Sequence, residues 1–398
     1  MLLFLVVLTD IFAHLRVKDP RNPGSTAEHR LRFPHLRFFG GQAATLTSIG
    51  GIIVVMLVMG LTKQIPTGMG AVMQHPFHRL GLSTILTTWY FLLLYLYLLF
   101  ILGNVIARRV RRLQKGIRDF AFLLNHLGLF AALFFGLLAA ADMQRYRMQV
   151  YTDAEYPEWR GIEETSNKMV ELPVAIELKE FLLEEYPPKL MIIENKSGKA
   201  LPLQRAEHLS IDHLPASGNI DGWHIEVTEH MPYSAAMVTK DSVVFKEFRT
   251  EGAAHSAKVM VYPLNNPAHK TSGWVSAGSY IFPYRSLKLT DSLSLVMAEP
   301  EPKQYSSDVV LYAQNGDIDK KNIQVNSPLR YKGWYIYQLN YDREKGRWSN
   351  MSEFELVRDP WLYGVYIGFG LLFAGAVFLF LGPLPQNTYH PKRKEHQS

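Results

Sequence analysis

The chain has 398 residues, 48% of them hydrophobic and 12% aromatic, yet its mean hydropathy is close to neutral at −0.03, so very apolar stretches are balanced by an ordinary polar region. The formal charge of +6 does not point to nucleic acid, because Lys and Arg crowd into short runs beside apolar segments, the pattern that sets membrane topology. With no cysteine, the chain folds without disulfides, exchanges no thiols and cannot carry a Cys-x-x-Cys-His haem attachment site.

In chain order, the first element is Leu2 to Leu15, apolar but short and interrupted by Asp10 and His14. It is open to three readings: a signal-like apolar region, a truncated first span, or a half-buried helix. The extra span is preferred, since no basic residue precedes the run and no small-residue cleavage site follows it. A basic stretch with Arg16, Lys18, Arg21, Arg30, Arg32 and Arg37 comes next. Four uncharged runs are then long enough to cross a bilayer, which takes about 20 apolar residues: Ala43 to Thr62, Leu82 to Ala107, Phe120 to Ala141 and Trp361 to Gln386. Charged residues bracket each of them. Trp361, Tyr363 and Tyr366 open the last run as an interfacial aromatic belt.

Orientation follows from the basic residues. Arg108, Arg109, Arg111, Arg112, Lys115 and Arg118 fill the link between the second and third runs, whereas the link before the second run has only Lys63 and Arg79. The Arg-rich link is therefore expected in the cytoplasm, with the N-terminal basic stretch and the Lys392-Arg393-Lys394 tail on the same side. Alternation then places residues 142–359 outside the membrane.

That long segment reads as β-rich. Lys258 to Tyr262, Asp308 to Tyr312 and Trp334 to Gln338 are full of β-branched and aromatic residues, and turn formers such as Asn315-Gly-Asp and Lys332-Gly333 bound them. Sandwich-like sheets are expected, with one exception: the Leu and Glu content of Ile176 to Glu185 suits a short helix. The alternation in Trp334 to Gln338 assigns Trp334, Ile336 and Gln338 to one face and Tyr335 and Tyr337 to the other. The fold class is thus a membrane α-helical protein with four long transmembrane helices, a fifth short N-terminal one, and a large extracytoplasmic β-rich domain. The expected division is residues 1–42 (apolar segment and basic stretch), 43–141 (three-helix membrane region), 142–359 (external domain), 360–386 (last span) and 387–398 (cytoplasmic tail).

Among candidate site residues, His126 is the single histidine within the four long runs, and ionisable groups inside a bilayer are costly enough to suggest function. Neutral imidazole is a good haem-iron ligand. Phe122 and Phe130 lie four residues to either side, so on a helix an apolar strip surrounds it. At about 1.5 Å per residue from Phe120, His126 lies roughly 9 Å into the membrane from the cytoplasmic side. Gly128 and Gly136 on the same run would let a neighbouring helix or a flat ligand approach. The alternative is that His126 and Asn125 hydrogen-bond a neighbouring helix. His75 and His78 in Gln74-His-Pro-Phe-His78 could ligate haem or a metal together, although Pro76 disfavours a helix that would align them. The external histidines His208, His213, His224, His230, His255 and His269 show no zinc spacing and read as surface or structural residues. Trp274, Trp334 and Trp348 read as core. No phosphate-binding loop, nucleophile elbow or His-Glu-x-x-His helix is present.

The segment Pro302 to Tyr312, then Val325-Asn-Ser-Pro-Leu-Arg-Tyr-Lys-Gly-Trp-Tyr-Ile-Tyr-Gln338, then Arg358-Asp-Pro360 before the last span resembles the ResB-like cytochrome c biogenesis proteins of the system II pathway. Gly81 to Phe91 with Arg108-Arg-Val-Arg-Arg112 looks like that family's second membrane segment, and Asn125-His-Leu-Gly128 looks like its third. The resemblance runs from about Ala43 to Leu384; Leu2 to Leu15 and much of Asp153 to Leu287 do not match. It implies a component of the bacterial inner (cytoplasmic) membrane that handles or exports haem b, with His126 as an iron ligand, for attachment to apocytochrome c. It also implies an accessory rather than catalytic subunit of a haem-lyase (synthetase) complex. The implied partners are a Trp-rich membrane protein of the CcsA/ResC type, a thiol-disulfide reductase and membrane lipid, since this chain has neither a Trp-Trp-Asp motif nor a cysteine. Two other readings stand beside it: a membrane-anchored β-domain for adhesion or sensing, and a b-type haem electron carrier, which would ordinarily need histidines on facing helices.

Overall fold

The computed structural model describes residues 42–64, 80–111, 116–238 and 243–381. The short apolar segment Leu2 to Leu15, His75, His78 and the basic tail lie outside the described residues. The chain divides into two compact units, one of Met1–Met143 with Asp359–Ser398, the other of Gln144–Arg358.

Among the described residues, the first unit holds four helices long and apolar enough to cross a membrane: α1 Gln42–Leu61, α2 Trp89–Arg111, α3 Ile117–Asp142 and α4 Leu362–Leu381. Large side chains such as Phe373 and Phe380 stay exposed on them, the surface a bilayer would cover. The second helix starts later than its uncharged run. Gly81 adopts a positive φ of 73°, a 3-10 turn covers Ile85–Thr87, and Thr88 is extended. The hydroxyls of Thr87 and Thr88 donate to the carbonyls of Thr84 and Ile85, the local bonding by which such residues compete with helix. Thr88 Oγ1 then accepts from Phe91 N, capping α2. At its other end α2 runs past Ala107 through Arg108, Arg109 and Arg111, cations that suit a helix C-terminus.

Helices α3 and α4 pack closely through small residues. A Cβ on Gly368 would lie 2.5 Å from Ala132 N, and one on Gly128 would lie 2.6 Å from Leu372 N, so only glycine permits this approach. Gly128 is thus filled by a helix rather than left for a flat ligand, while Gly136 has nothing within 4 Å of its Cβ position. At the α3 end, Trp361 Nε1 donates to Asp142 Oδ2 at 2.6 Å and its ring stacks on Phe135.

Among its described residues the second unit holds three sheets. The largest has eight strands in the order β14-β13-β3-β2-β1-β17-β16-β15: β1 Gln144–Tyr151, β2 Glu158–Glu163, β3 Met169–Glu185, β13 Pro302–Ala313, β14 Ile318–Gln324, β15 Leu329–Tyr331, β16 Trp334–Tyr341 and β17 Met351–Arg358. It curls around its own inner face. Ser307 of β13 bonds Gln338 of β16 at 2.7 Å and Ser352 of β17 at 2.8 Å across that interior, and one core contains Met148, Ile176, Leu311, Trp334, Ile336 and Phe354. Trp334, Ile336 and Gln338 are buried and Tyr337 is exposed, as the alternation requires. Lys332 and Gly333, both at positive φ, make the two-residue turn between β15 and β16.

The other two sheets form a sandwich. One is β10-β9-β7-β6 with β8 on β7, built from β6 Ala216–Ile220, β7 Trp223–Val238, β8 Val243–Glu247, β9 Ala254–Pro263 and β10 Thr271–Ser276. The other is β11-β12-β4-β5, from β4 Lys189–Glu194, β5 Leu209–Ser210, β11 Leu287–Lys288 and β12 Leu293–Met297. Leu190, Ile192 and Leu295 share a core with Ile225, Val259 and Val261.

One expectation is corrected. Ile176 to Glu185 is not a short helix but the end of β3. Pairing with β13 buries Ile176, Leu178 and Phe181, and a register shift between Leu178 and Glu180 breaks the two-residue period. The bulge hides the alternation, and the tertiary pairing overrides the helical content.

Candidate functional site

His126 sits on α3 with its ring half-buried. Its Nδ1 lies 2.8 Å from the carbonyl of Phe122; a carbonyl only accepts, so Nδ1 carries a hydrogen and Nε2 is the ring nitrogen left outside this bond. The Phe122 ring lies 3.7 Å from the imidazole, stacked at 23°. Arg109 covers the same Phe122 ring, 4.8 Å from its centroid, and pairs with Asp119. Phe130 stands one turn further on, parallel to Phe134. With Leu127, Gly103, Ala107 and Arg111 it lines an apolar groove of about 370 Å³ between α2 and α3, which His126 does not line.

The hydrogen bonds of Asn125 and His126 among the described residues go to their own helix, Asn125 Nδ2 donating to Ala121 O at 3.0 Å. The interhelical hydrogen bond expected as the alternative use of these groups is therefore not made here. The chemistry left to this place is that of a half-buried imidazole with its ring held in one orientation, set among aromatic side chains. Of the sequence-predicted site residues, Phe122 is brought against His126, Phe130 faces the adjoining groove, and His75 and His78 lie outside the described residues.

A second constellation lies in the β unit, and its histidines are ones that the sequence marks as scattered. His230 of β7 and His255 of β9 stack with ring planes 2° apart and centroids 5.3 Å apart. His230 Nε2 and His255 Nδ1 are 3.1 Å apart, and His255 Nε2 lies 3.3 Å from Glu185 Oε2. Arg347 pairs with Glu185 and donates to His255 Nε2, reaches Pro232 O at 3.2 Å, and lies 4.9 Å from the Tyr233 ring. Burial pushes the His255 pKa down to about 4; burial and then its neighbour His255 do the same for His230. Burial also lowers Arg347 to about 10. These groups floor an open pocket of about 310 Å³ walled by Leu183, Tyr186, Pro188 and Ile211. Among the described residues no three His, Asp or Glu are placed to hold a metal ion. No spacing rule could have found the pair, because 25 residues separate the two histidines and only the β7–β9 pairing brings them together.

The remaining external aromatics and histidines have local roles. His224 bonds Asn219 at 2.6 Å beside Tyr262. Trp334 is in the core, Trp274 packs near Phe245, and Trp348 Nε1 donates to Ala253 O at 2.9 Å.

The chain resembles, with 31% identity over 133 residues, the voltage-gated delayed rectifier potassium channel KCNH5 of Rattus norvegicus. That similarity covers 29% of this chain and 13% of the channel. Residues 286–349 match the ResB-like family. The match runs from β11 to the short helix Gly346–Trp348 that carries Arg347, and so includes the strands β13 and β16 on which the sequence motifs lie. The chain is similar to the ResB-like family over residues 286–349.

Proposed function

We propose that this protein is a haem-handling membrane subunit of a cytochrome c synthetase. The observation that carries the reading is the ResB-like match of residues 286–349. In this reading the Arg-rich link between α2 and α3 is cytoplasmic, the β unit stands on the outer side of a bacterial cytoplasmic membrane, and haem b made in the cytosol is the substrate. His126 ligates its iron through Nε2. The hydrogen bond from Nδ1 to Phe122 O supports this role, because it sets the tautomer and the ring orientation that a metal ligand needs. Phe122 limits the ring's rotation, and the groove lined by Leu127 and Phe130 offers apolar surface to a porphyrin edge. A partner of the CcsA/ResC type presents the haem to apocytochrome c, and a thiol-disulfide reductase keeps the apocytochrome cysteines reduced, as this chain has no cysteine of its own.

The test is His126→Ala in the full chain, expressed with its partner. Haem per mole of purified complex falls to background and cytochrome c maturation stops, while protein level stays near that of the wild type. His78→Ala serves as a comparison with a smaller effect. If His126 had only a structural role, the loss would be its bond to the carbonyl of Phe122 in its own helix, and haem per protein would not change. An unchanged ratio with normal maturation removes His126 from the site.

A further inference from the structure

The eight-stranded sheet and the five-stranded sheet meet in a polar cluster. From the first come Glu185, at the end of β3, and Arg347, in the short helix between β16 and β17; from the second come His230 and Tyr233 of β7 and His255 of β9. We propose that this cluster is an acid-opened joint: it holds the two sheets together while both imidazoles are neutral, and loosens when the pair takes up protons. The proposal is independent of the haem reading.

The direction of the hydrogen bonds carries the argument. His255 Nε2 faces both Arg347, which only donates, and Glu185 Oε2 at 3.3 Å, which only accepts; with Glu185 taken up by its ion pair to Arg347, Nε2 is the acceptor of the guanidinium. His255 Nδ1 then bears the hydrogen and donates to His230 Nε2 at 3.1 Å. The chain Arg347 to His255 to His230 therefore runs one way, and each added proton breaks a link in it. A proton on His255 Nε2 sets N–H against N–H and a cation beside the Arg347 cation. One on His230 Nε2 removes the acceptor that His255 needs. Glu185 is the carboxylate in contact with His255 and would favour its charged form, but it is already paired with Arg347. Asp212, in the loop after β5, Tyr186 and Tyr233 are the other polar side chains that line the pocket.

Two further contacts cross the same joint. Arg347 donates to Pro232 O at 3.2 Å, and Trp348 Nε1 donates to Ala253 O at 2.9 Å. The polar groups bond one another rather than aim into empty space, so the arrangement fits a latch better than a ligand site. The pocket beside it gives water, and hence protons, a way in. The sign follows from the pKa values: both histidines lie at about 4 in the closed joint against an ordinary 6.5. The opened form binds more protons in that interval, so the stability of the closed joint is fully present above pH 6.5 and falls as pH drops towards 4.

The test is hydrogen–deuterium exchange of the full chain in nanodiscs between about pH 7 and about pH 4.5, corrected for the intrinsic pH dependence of exchange. Segments around His230 to Ser234, Ala253 to Ser256 and Gly346 to Ser349 should lose protection by about tenfold or more, while β16 and β17 stay protected. Replacing both histidines, His230→Gln with His255→Gln, keeps hydrogen-bonding groups that do not titrate, and should flatten the response. His230→Gln alone should weaken it. Protection in the wild type that is constant to about pH 4.5 overturns the proposal without any variant. So does simultaneous loss in β16 and β17, or an undiminished acid response in the glutamine variants.

Discussion

The helical unit and the β unit satisfy their buried polar groups in opposite ways. In the helices the bonds are local: Thr47 to Ala44 O, Ser48 to Thr45 O, Asn104 to Phe100 O, Asn125 to Ala121 O and His126 to Phe122 O all fall within one turn. Bonds between helices also occur, from Tyr95 to Leu133 O of α3, between Thr47 and Tyr97, from Trp361 to Asp142 and between Arg109 and Asp119. In the β unit the partners are far apart in sequence, as with Ser307 and Ser352, Ser234 and Ser256, or Arg347 and Glu185. A helix can cap most of its own polar side chains and then associate chiefly through shape, by glycines, whereas sheets must reach across to one another. Loss of shape should therefore be the main injury to the helices, and loss of a core residue or a distant partner the main injury to the sheets.

Trp334→Ala should have the largest effect on this contrast. Trp334 is 4% exposed and packs against Tyr146 in the core of the curled sheet, so its truncation should cost about 3–5 kcal/mol. Urea titration followed by circular dichroism should show the β signal lost at lower denaturant while the helical signal persists. Loss of both together would mean that the units do not melt separately. Gly368→Leu comes next: the side chain would overlap Ala132 on α3, with an overpacking cost of about 1–3 kcal/mol. Thermal aggregation in detergent should shift while the isolated β signal does not. Unchanged melting would show that α3 and α4 can part without penalty. The smallest disturbance comes from single cysteines placed in a chain that has none. Ser197→Cys, on an exposed turn of the β unit, should react with an impermeant maleimide in intact cells, and Gln114→Cys, in the Arg-rich link, should not. The reverse pattern would put the positive charges on the wrong side.

The same contrast decides what could be read in advance. The four apolar runs are legible because each is continuous in sequence, and the turn at Lys332-Gly333 because its residue types are demanded by backbone geometry. The start of α2 was displaced by seven residues because Thr87 and Thr88 bond their own backbone, a preference that hydropathy does not register. The strand through Ile176 was hidden by a bulge. At the candidate site His126 stands out as one imidazole in an apolar run, but whether it served a neighbouring helix depended on its rotamer. The pairing of His230 with His255, and of both with Arg347, is set by strand register and by a crossover between sheets. No local pattern encodes it.

The pairing of β1 with β17, Gln144 opposite Arg358, bears on the timing of folding. These neighbours near the middle of the largest sheet are the first and last strands of the β unit to be synthesised. Every strand of the smaller sandwich has emerged once Met297 is made, so that core can close early. The eight-stranded sheet must wait, its β1 edge unpaired on one side, until the residues just ahead of α4 arrive. An open edge held for that interval is a template for wrong pairing. The slow, late closure expected of so non-local a contact makes the final strand, rather than the hydrophobic core, the step at which this domain is most exposed to misassembly.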